Sequence, residues 1–214
     1  MVGMASTRQA YGKMLVELGK EYKDIVVLGG DLNKSTVTTL FAQEFPDRFF
    51  DFGPAEQNIV SAAAGFASSG KIPFVSTFAV FGTGRPYDQL RVGVAQPHLN
   101  VKLALTHAGI LTGEDGMSAQ SIEDIALMCA LPGFTVIAPA DAVETDHAVR
   151  AAVENDGPFY IRLYRPATPL VHVDDHCSFT LGKAELLREG EDVTIVACGS
   201  MVGSALEAAN LLRS

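Results

Sequence analysis

Six short apolar runs, each of a length that suits a buried strand, alternate along this chain with stretches of helical period. They are "DIVVLGGDL", "RFFDFG", "IPFVSTFAVF", "NVKLALTHAG", "FTVIAPA" and "PFYIRLYRP". Runs dense in Val, Ile, Leu and Phe, without polar alternation, belong to strands covered on both faces. Between them lie "TTLFAQEF", a small-residue segment from Glu56 to Gly70, "RPYDQLRVGVAQ", "SIEDIALMCAL" and "AVETDHAVRAAVEN". Ahead of the first strand, "STRQAYGKMLVELGKEY" spaces Tyr11, Met14, Leu15 and Leu18 as one helix face, with Ser6 or Thr7 as N-cap. The pattern predicts an α/β fold with a doubly wound parallel sheet, in which ligands collect beyond the carboxyl ends of the strands. Polar, glycine-containing loops stand at those ends: "GGDLNKST", "THAGILTGEDGMS" and the shorter "YRP".

A length of 214 residues with 48% hydrophobic content suits one full α/β domain and part of a second. We read 1–166 as the domain, 167–177 as a linker, and 178–214 as the incomplete start of a truncated second α/β domain. That last piece reads as a hairpin, a buried strand and one helix. The formal charge of -9 argues against a nucleic-acid partner, which needs a basic face, but leaves small anionic ligands open. Cys129, Cys177 and Cys198 form no CxxC pair and read as buried free thiols of a reducing cytoplasm. No secretory signal and no run of membrane-spanning length is seen, so a soluble cytoplasmic protein without a membrane partner is expected.

Glu56 heads the small-residue segment, with Ile59, Val60, Ala62, Ala63, Ala64 and Phe66 behind it. In a first helical turn the dipole alone favours a carboxylate by ~0.3–1 kcal/mol. A carboxylate in apolar surroundings is also what proton-transfer chemistry needs. The spacing and lysine of a phosphate-binding P-loop are missing from "GGDLNKST", and Asp31 with Asn58 makes a poor metal-diphosphate pair.

"TRQAYG", "AEQN", "STFAVF", "YDQLR", "GEDG", "SIEDIAL" and "RLYRP" occur in this order. Together they resemble the pyrimidine-binding domain of transketolase, a thiamine diphosphate-binding fold. The resemblance runs from Ser6 to Pro166 and continues into the start of the transketolase C-terminal domain. The related 1-deoxyxylulose-5-phosphate synthases share "AEQ" and "YDQ", whereas "TRQAYG", "NKST" and "GEDG" favour transketolase. The resemblance implies that Glu56 is catalytic, hydrogen-bonding N1' of the thiamine diphosphate aminopyrimidine. It implies that Phe81 stacks on that ring, that Phe78 completes the aromatic wall, and that Arg85, after an insertion around Gly84, lies beside the cofactor. Arg8, Ser35 and Arg165 would bind a sugar phosphate, catalytic His107 would lie beside them, and Asp115 would contact a hydroxyl of the donor. His98, His147, His172 and His176 match no site motif and read as surface or linker residues.

One position departs from the family: many transketolases carry His or Gln where this chain has Ala119, and Gln120 is the nearest substitute. The resemblance places no metal ligand on this chain. Mg²⁺ and the diphosphate would be held by an N-terminal transketolase subunit with a Gly-Asp-Gly…Asn motif. The chain then resembles the C-terminal subunit of a split transketolase, or a piece of a longer chain, serving the pentose phosphate pathway. The small residues from Ala62 to Gly70 suit close packing across a two-fold axis, which implies a homodimer and a two-plus-two assembly with the partner. Two other readings stay open: a relative that decarboxylates a 2-oxo acid, such as a 1-deoxyxylulose-5-phosphate synthase or a pyruvate dehydrogenase β chain, and a non-catalytic subunit.

Overall fold

A computed structural model of the chain describes residues 3–172 and 177–213. Strand β1 (Met4–Ala5) leads into helix α1 (Thr7–Glu21), whose N-cap Ser6 accepts a hydrogen bond from the Gln9 N–H. Strand β2 (Ile25–Gly29) follows, then two short helices, α2 (Asn33–Thr36) and α3 (Thr39–Glu44), and strand β3 (Phe49–Asp51). Helix α4 (Glu56–Ser68), strand β4 (Ile72–Ser76), helix α5 (Ala79–Gly84) and strand β5 (Lys102–Leu105) come next. Helix α6 (Asp124–Cys129), strand β6 (Thr135–Ile137), helix α7 (Ala142–Glu154) and strand β7 (Phe159–Arg162) complete the alternation. Strand β8 (Thr168–Pro169) pairs antiparallel with β1, and helix α8 (Met201–Leu211) lies near the end.

Strands β2 to β7 form one six-stranded sheet in the order β3-β2-β4-β5-β7-β6, with every pair parallel. Each strand sends alternate side chains to opposite faces, and both faces are apolar. Val26 and Leu28 of β2 pack with Ile59, Val60 and Ala63 of α4 and with Leu90 and Val94. Ile25 and Val27 pack the other way, with Tyr11, Leu15 and Leu18 of α1 and Ala148, Val149 and Ala152 of α7. This is the doubly wound sheet expected from the alternation. The order turns back between β2 and β4, so the loops leaving these strands diverge and open a crevice at their carboxyl ends.

Gly12 lets α1 approach the loop after β2 closely. A Cβ there would sit 2.7 Å from Val37 Cγ1 and 2.9 Å from the Val37 carbonyl oxygen. Arg8, one turn earlier on the same face, is thereby brought over Ser35.

Several expectations are corrected. The helix read over "RPYDQLRVGVAQ" is π-helical from Gln89 to Ala95, a wider winding that apolar periodicity does not reveal. Cys129 and Cys198 are exposed and Cys177 is half-buried, so the thiols are not core residues. His172 is not a surface residue but is buried, because the Asp141 carboxylate holds both its ring and its backbone N–H. His98 and His147 are exposed as read, and His176 lies outside the described residues. The hairpin and buried strand read after residue 178 do not form: among the described residues from 177 to 200 there is no strand, and Val193, Ile195 and Val196 face solvent. A strand needs a neighbour to satisfy its backbone groups, and none of the described residues pairs with this stretch.

Candidate active site

Glu56 is the first residue of α4, and it is only 4% exposed. Its surroundings are not purely apolar. Arg85, at the C-terminal end of α5, donates from Nη1 to both carboxylate oxygens at 2.9 Å. The same guanidinium lies over the Phe81 ring, 4.1 Å from its centroid. Phe81 in turn is 5.8 Å from Phe78 with near-parallel planes, and Phe78 stacks on His107 at 3.7 Å.

His107 leads on to the cationic end of the site. Its Nε2 is 3.8 Å from Asp115 Oδ2, and Asp115 lies 3.2 Å from Arg165 Nε. Arg165 also pairs with Glu114. Arg8 donates from Nε to the Arg165 carbonyl at 2.9 Å and from Nη1 to the Ser35 carbonyl at 2.8 Å. Every residue that the sequence nominated thus falls on one unbroken line of contacts, running from Glu56 to Ser35 across the segments after β2, β3, β4, β5 and β7 and the start of α1. Ser35 is seen there through its backbone carbonyl, and Arg8 is committed at two nitrogens to backbone oxygens. Ala119 is buried, and the amide of Gln120 donates to the Gly113 carbonyl at 3.2 Å, tying down the loop.

His107 sits at φ 59, a left-handed conformation held by Thr112, whose hydroxyl donates to the His107 carbonyl at 2.6 Å. Its Nδ1 shares a hydrogen bond with the Thr106 hydroxyl at 2.8 Å. Burial, reinforced by the Arg8 and Arg165 charges against the opposing pull of Asp115, lowers its pKa from 6.5 to about 4. The ring is therefore neutral at pH 7. Between pH 4 and 6.5 the unfolded chain holds the proton that the folded chain refuses. This group's contribution is complete above pH 6.5 and is lost as pH falls toward 4, at up to about 1.4 kcal/mol per pH unit. Asp146, raised from 3.8 to about 6 by burial, works with the opposite sign in an overlapping window. The check is therefore a difference: His107→Gln should show a shallower loss of stability than the parent between pH 6.5 and 4. Parallel stability curves for the two proteins would contradict the assignment.

A supporting network behind this line escaped the sequence reading. Asp124, 1% exposed at the start of α6, accepts from Tyr160 Oη at 2.5 Å and from Arg162 Nε at 2.7 Å. Arg162 Nη2 would lie 2.9 Å from a Cβ on Gly109, so it props the backbone two residues beyond His107. The signal was present: an arginine at the end of the buried strand "FYIR" needs a partner.

A family model described as "Transketolase, pyrimidine binding domain" matches residues 3–170, and one described as "Transketolase, C-terminal domain" matches residues 182–214. The chain belongs to the transketolase family. It is 48% identical over 207 residues to a Methanocaldococcus jannaschii protein whose name describes a transketolase C-terminal section, covering 96% of this chain and 66% of that one. It is 39% identical over 211 residues to human transketolase, covering 97% of this chain and 33% of the human enzyme. A solved structure described as "Split gene transketolase, inactive beta4 tetramer" superposes with a TM-score of 0.89 at 52% identity, covering 99% of this chain and 68% of that one. The chain thus spans about two thirds of the Methanocaldococcus protein and of the split-gene transketolase, and one third of the human transketolase.

Transketolases depend on thiamine diphosphate, and the residues present fit the aminopyrimidine end of that cofactor. A buried carboxylate stands beside an aromatic pair. The buried Thr77 Oγ1, next to Phe78, has no hydrogen-bond partner among the described residues. Arg85 is a flat cation that both stacks on Phe81 and bonds Glu56. It therefore satisfies the features that an aminopyrimidine would use. Among the described residues no helix is long and apolar enough to cross a membrane.

Proposed function

We propose that this chain is the pyrimidine-binding half of a thiamine diphosphate-dependent transketolase. With a diphosphate-binding partner subunit it would transfer a two-carbon ketol unit between sugar phosphates. The observation that carries this reading is the line of contacts from buried Glu56 to Arg165 and Arg8, which joins a carboxylate and aromatic wall to a cationic end in one crevice.

When bound, the cofactor supplies the nucleophilic carbon that takes up the two-carbon unit. Glu56 would share a proton with N1' of the aminopyrimidine, holding that ring in its reactive form. Phe81 and Phe78 would stack against the ring and exclude water. Arg85 must leave Glu56 for this to happen. Its half-exposed side chain borders solvent, so water can take over its hydrogen bonds when it moves aside. His107, neutral at pH 7, can hydrogen-bond a substrate hydroxyl without adding charge, and Asp115 can accept from a second. Arg165 and Arg8, with Arg8 bonded on to Ser35 in the segment after β2, would face the phosphate.

Mg²⁺ and the diphosphate are assigned to the partner, together with a role in the pentose phosphate pathway. The domain division at 1–166 and 178–214 belongs to the same reading. Free cysteines fit a reducing cytoplasm. On α4, Ser61, Gly65 and Ser68 are exposed beside partly buried Ala62 and Ala64, a small-residue face suited to a two-fold interface. The tetramer described for the split relative supports self-association of such a chain without its partner.

Arg165→Ala in the reconstituted enzyme tests the substrate class. Loss of a charge-assisted phosphate contact costs ~1.5–3 kcal/mol, roughly ten- to a hundredfold in kcat/KM. We expect that loss with ketose phosphates and little change with the unphosphorylated ketose. An equal loss with both would make Arg165 structural, and turnover of pyruvate in place of a ketose phosphate would favour a decarboxylating relative.

A further inference from the structure

A second cluster of reactive side chains lies where the chain leaves the sheet. His172 is 5% exposed, and its ring is anchored by Asp141, the N-cap of α7. One oxygen of Asp141, Oδ2, accepts the backbone N–H of Val171 at 2.7 Å and of His172 at 2.8 Å, and lies 3.1 Å from His172 Nδ1. A carboxylate that already receives two N–H groups is an acceptor at the third contact, so Nδ1 carries a proton. The other ring nitrogen, Nε2, faces a second acceptor, Glu185 Oε2, at 3.3 Å. The Cys177 sulfur completes the group: a ring nitrogen of His172, Sγ and a Glu185 carboxylate oxygen all lie within 4.8 Å of one another.

Two lone pairs and a sulfur that converge in this way need a cation among them. A proton on Nε2 would satisfy Glu185 but would leave the Cys177 sulfur with only the Phe179 N–H. A tetrahedral metal with bonds of ~2.0–2.3 Å separates its ligands by roughly 3.3–3.7 Å. The Nε2 to Oε2 distance already matches this, and a contraction of about an ångström would bring in the sulfur. Half-buried Cys177 and the partly exposed Glu185 side chain have room to make it. The arrangement of Asp141 behind the imidazole is the carboxylate–histidine pairing that orients metal-bound histidines and raises their basicity. We propose that His172 Nε2, Cys177 Sγ and Glu185 Oε2 form a Zn²⁺ site, with Asp141 as the orienting residue. Imidazole, thiolate and carboxylate together suit zinc better than the hard cations, which prefer oxygen alone. The metal would clip the segment containing Cys177 and Glu185 to the N-terminal end of α7, and so fix the start of the second unit against the first. This site is separate from the Mg²⁺ that the cofactor needs, and it does not depend on the transketolase reading.

Burial, with Glu144, Glu185 and Asp141 nearby and the Phe179 N–H opposing them, raises the Cys177 thiol to about 11. Without a cation the thiol therefore stays protonated at neutral pH, and metal binding should release that proton.

The test is a titration of the full chain, first stripped with a chelator, with Co²⁺ as the spectroscopic probe. The expected result is one equivalent bound, a near-ultraviolet thiolate-to-cobalt absorption with strong visible bands, and displacement of both by Zn²⁺. Cys177→Ser should abolish the thiolate absorption, and Glu185→Gln should weaken binding by roughly tenfold or more. Neither change removes a buried group, so circular dichroism should remain that of the parent. An absent thiolate absorption, or one that survives in Cys177→Ser and so belongs to Cys129 or Cys198, would overturn the proposal. The first of these outcomes would leave His172 as a hydrogen-bonding partner of Asp141 and Glu185 alone.

Discussion

We expect Glu56→Gln to slow the reconstituted enzyme by ~10²- to 10⁴-fold, the usual yield of a positioned acid–base group, with little effect on KM. The amide keeps the shape of the carboxylate and can still meet Arg85, but it cannot take and return a proton. Stability should move little, because the amide fills the same volume and its oxygen can still accept from Arg85. The measurement is kcat alongside the urea midpoint. A variant with near-parental kcat would remove Glu56 from the chemistry. A variant with a collapsed midpoint would make it a structural residue.

The second large effect falls on stability. Asp124→Ala leaves the Arg162 guanidinium, with its side chain 13% exposed, and the fully buried Tyr160 hydroxyl without their shared acceptor. Removing one partner of a buried ion pair costs ~3–5 kcal/mol, because the remaining charge stays desolvated. At about 2–4 °C per kcal/mol for a chain of this size, the melting temperature should drop by roughly 10 °C. Asp124→Asn, which keeps an acceptor for Arg162, should lose less. Equal losses in the two variants would show that the carboxylate charge, rather than the volume or the acceptor oxygen, is what matters at this position. Because Arg162 props Gly109, the alanine variant should also loosen the loop that carries His107 and Asp115, which hydrogen exchange would detect.

The sheet could be read because its strands are continuous apolar runs, and burial on both faces leaves no other use for such a run. The site residues were grouped by the resemblance to transketolase, and the fold gives that grouping a physical basis, because parallel strands deliver their following loops to one edge and α1 brings Arg8 to Arg165 there. What could not be read depended on where long side chains end. The Arg85 guanidinium reaches Glu56 across 29 residues of sequence, and no local pattern encodes that pairing. His172 looked like a linker residue because its burial is decided by Asp141, an N-cap 31 positions earlier. Lys102 is a comparable case. It lies in a buried strand, donates to the Asn155 and Gly157 carbonyls at 2.8 and 2.9 Å, and covers the Phe159 ring. Desolvation brings its pKa down to about 7, against a weak opposing pull from Asp156. A lysine in "VKLALT" announces that some partner exists without saying which. The stretch after residue 177 failed for a different reason. Its apolar residues have strand character, but pairing is a property of two segments, and the described residues supply only one.

The central claim is that this chain supplies half of a transketolase site and needs the other half. The direct measurement is two-carbon transfer from a ketose phosphate to an aldose phosphate, with thiamine diphosphate and Mg²⁺ present. It is made with this chain alone, with a diphosphate-binding transketolase section alone, and with both, while the mass of each assembly is followed by light scattering. We expect transfer only from the mixture, in a complex that holds equal numbers of the two chains. Turnover by this chain alone, or no turnover from a mixture that has formed the complex, would contradict the account.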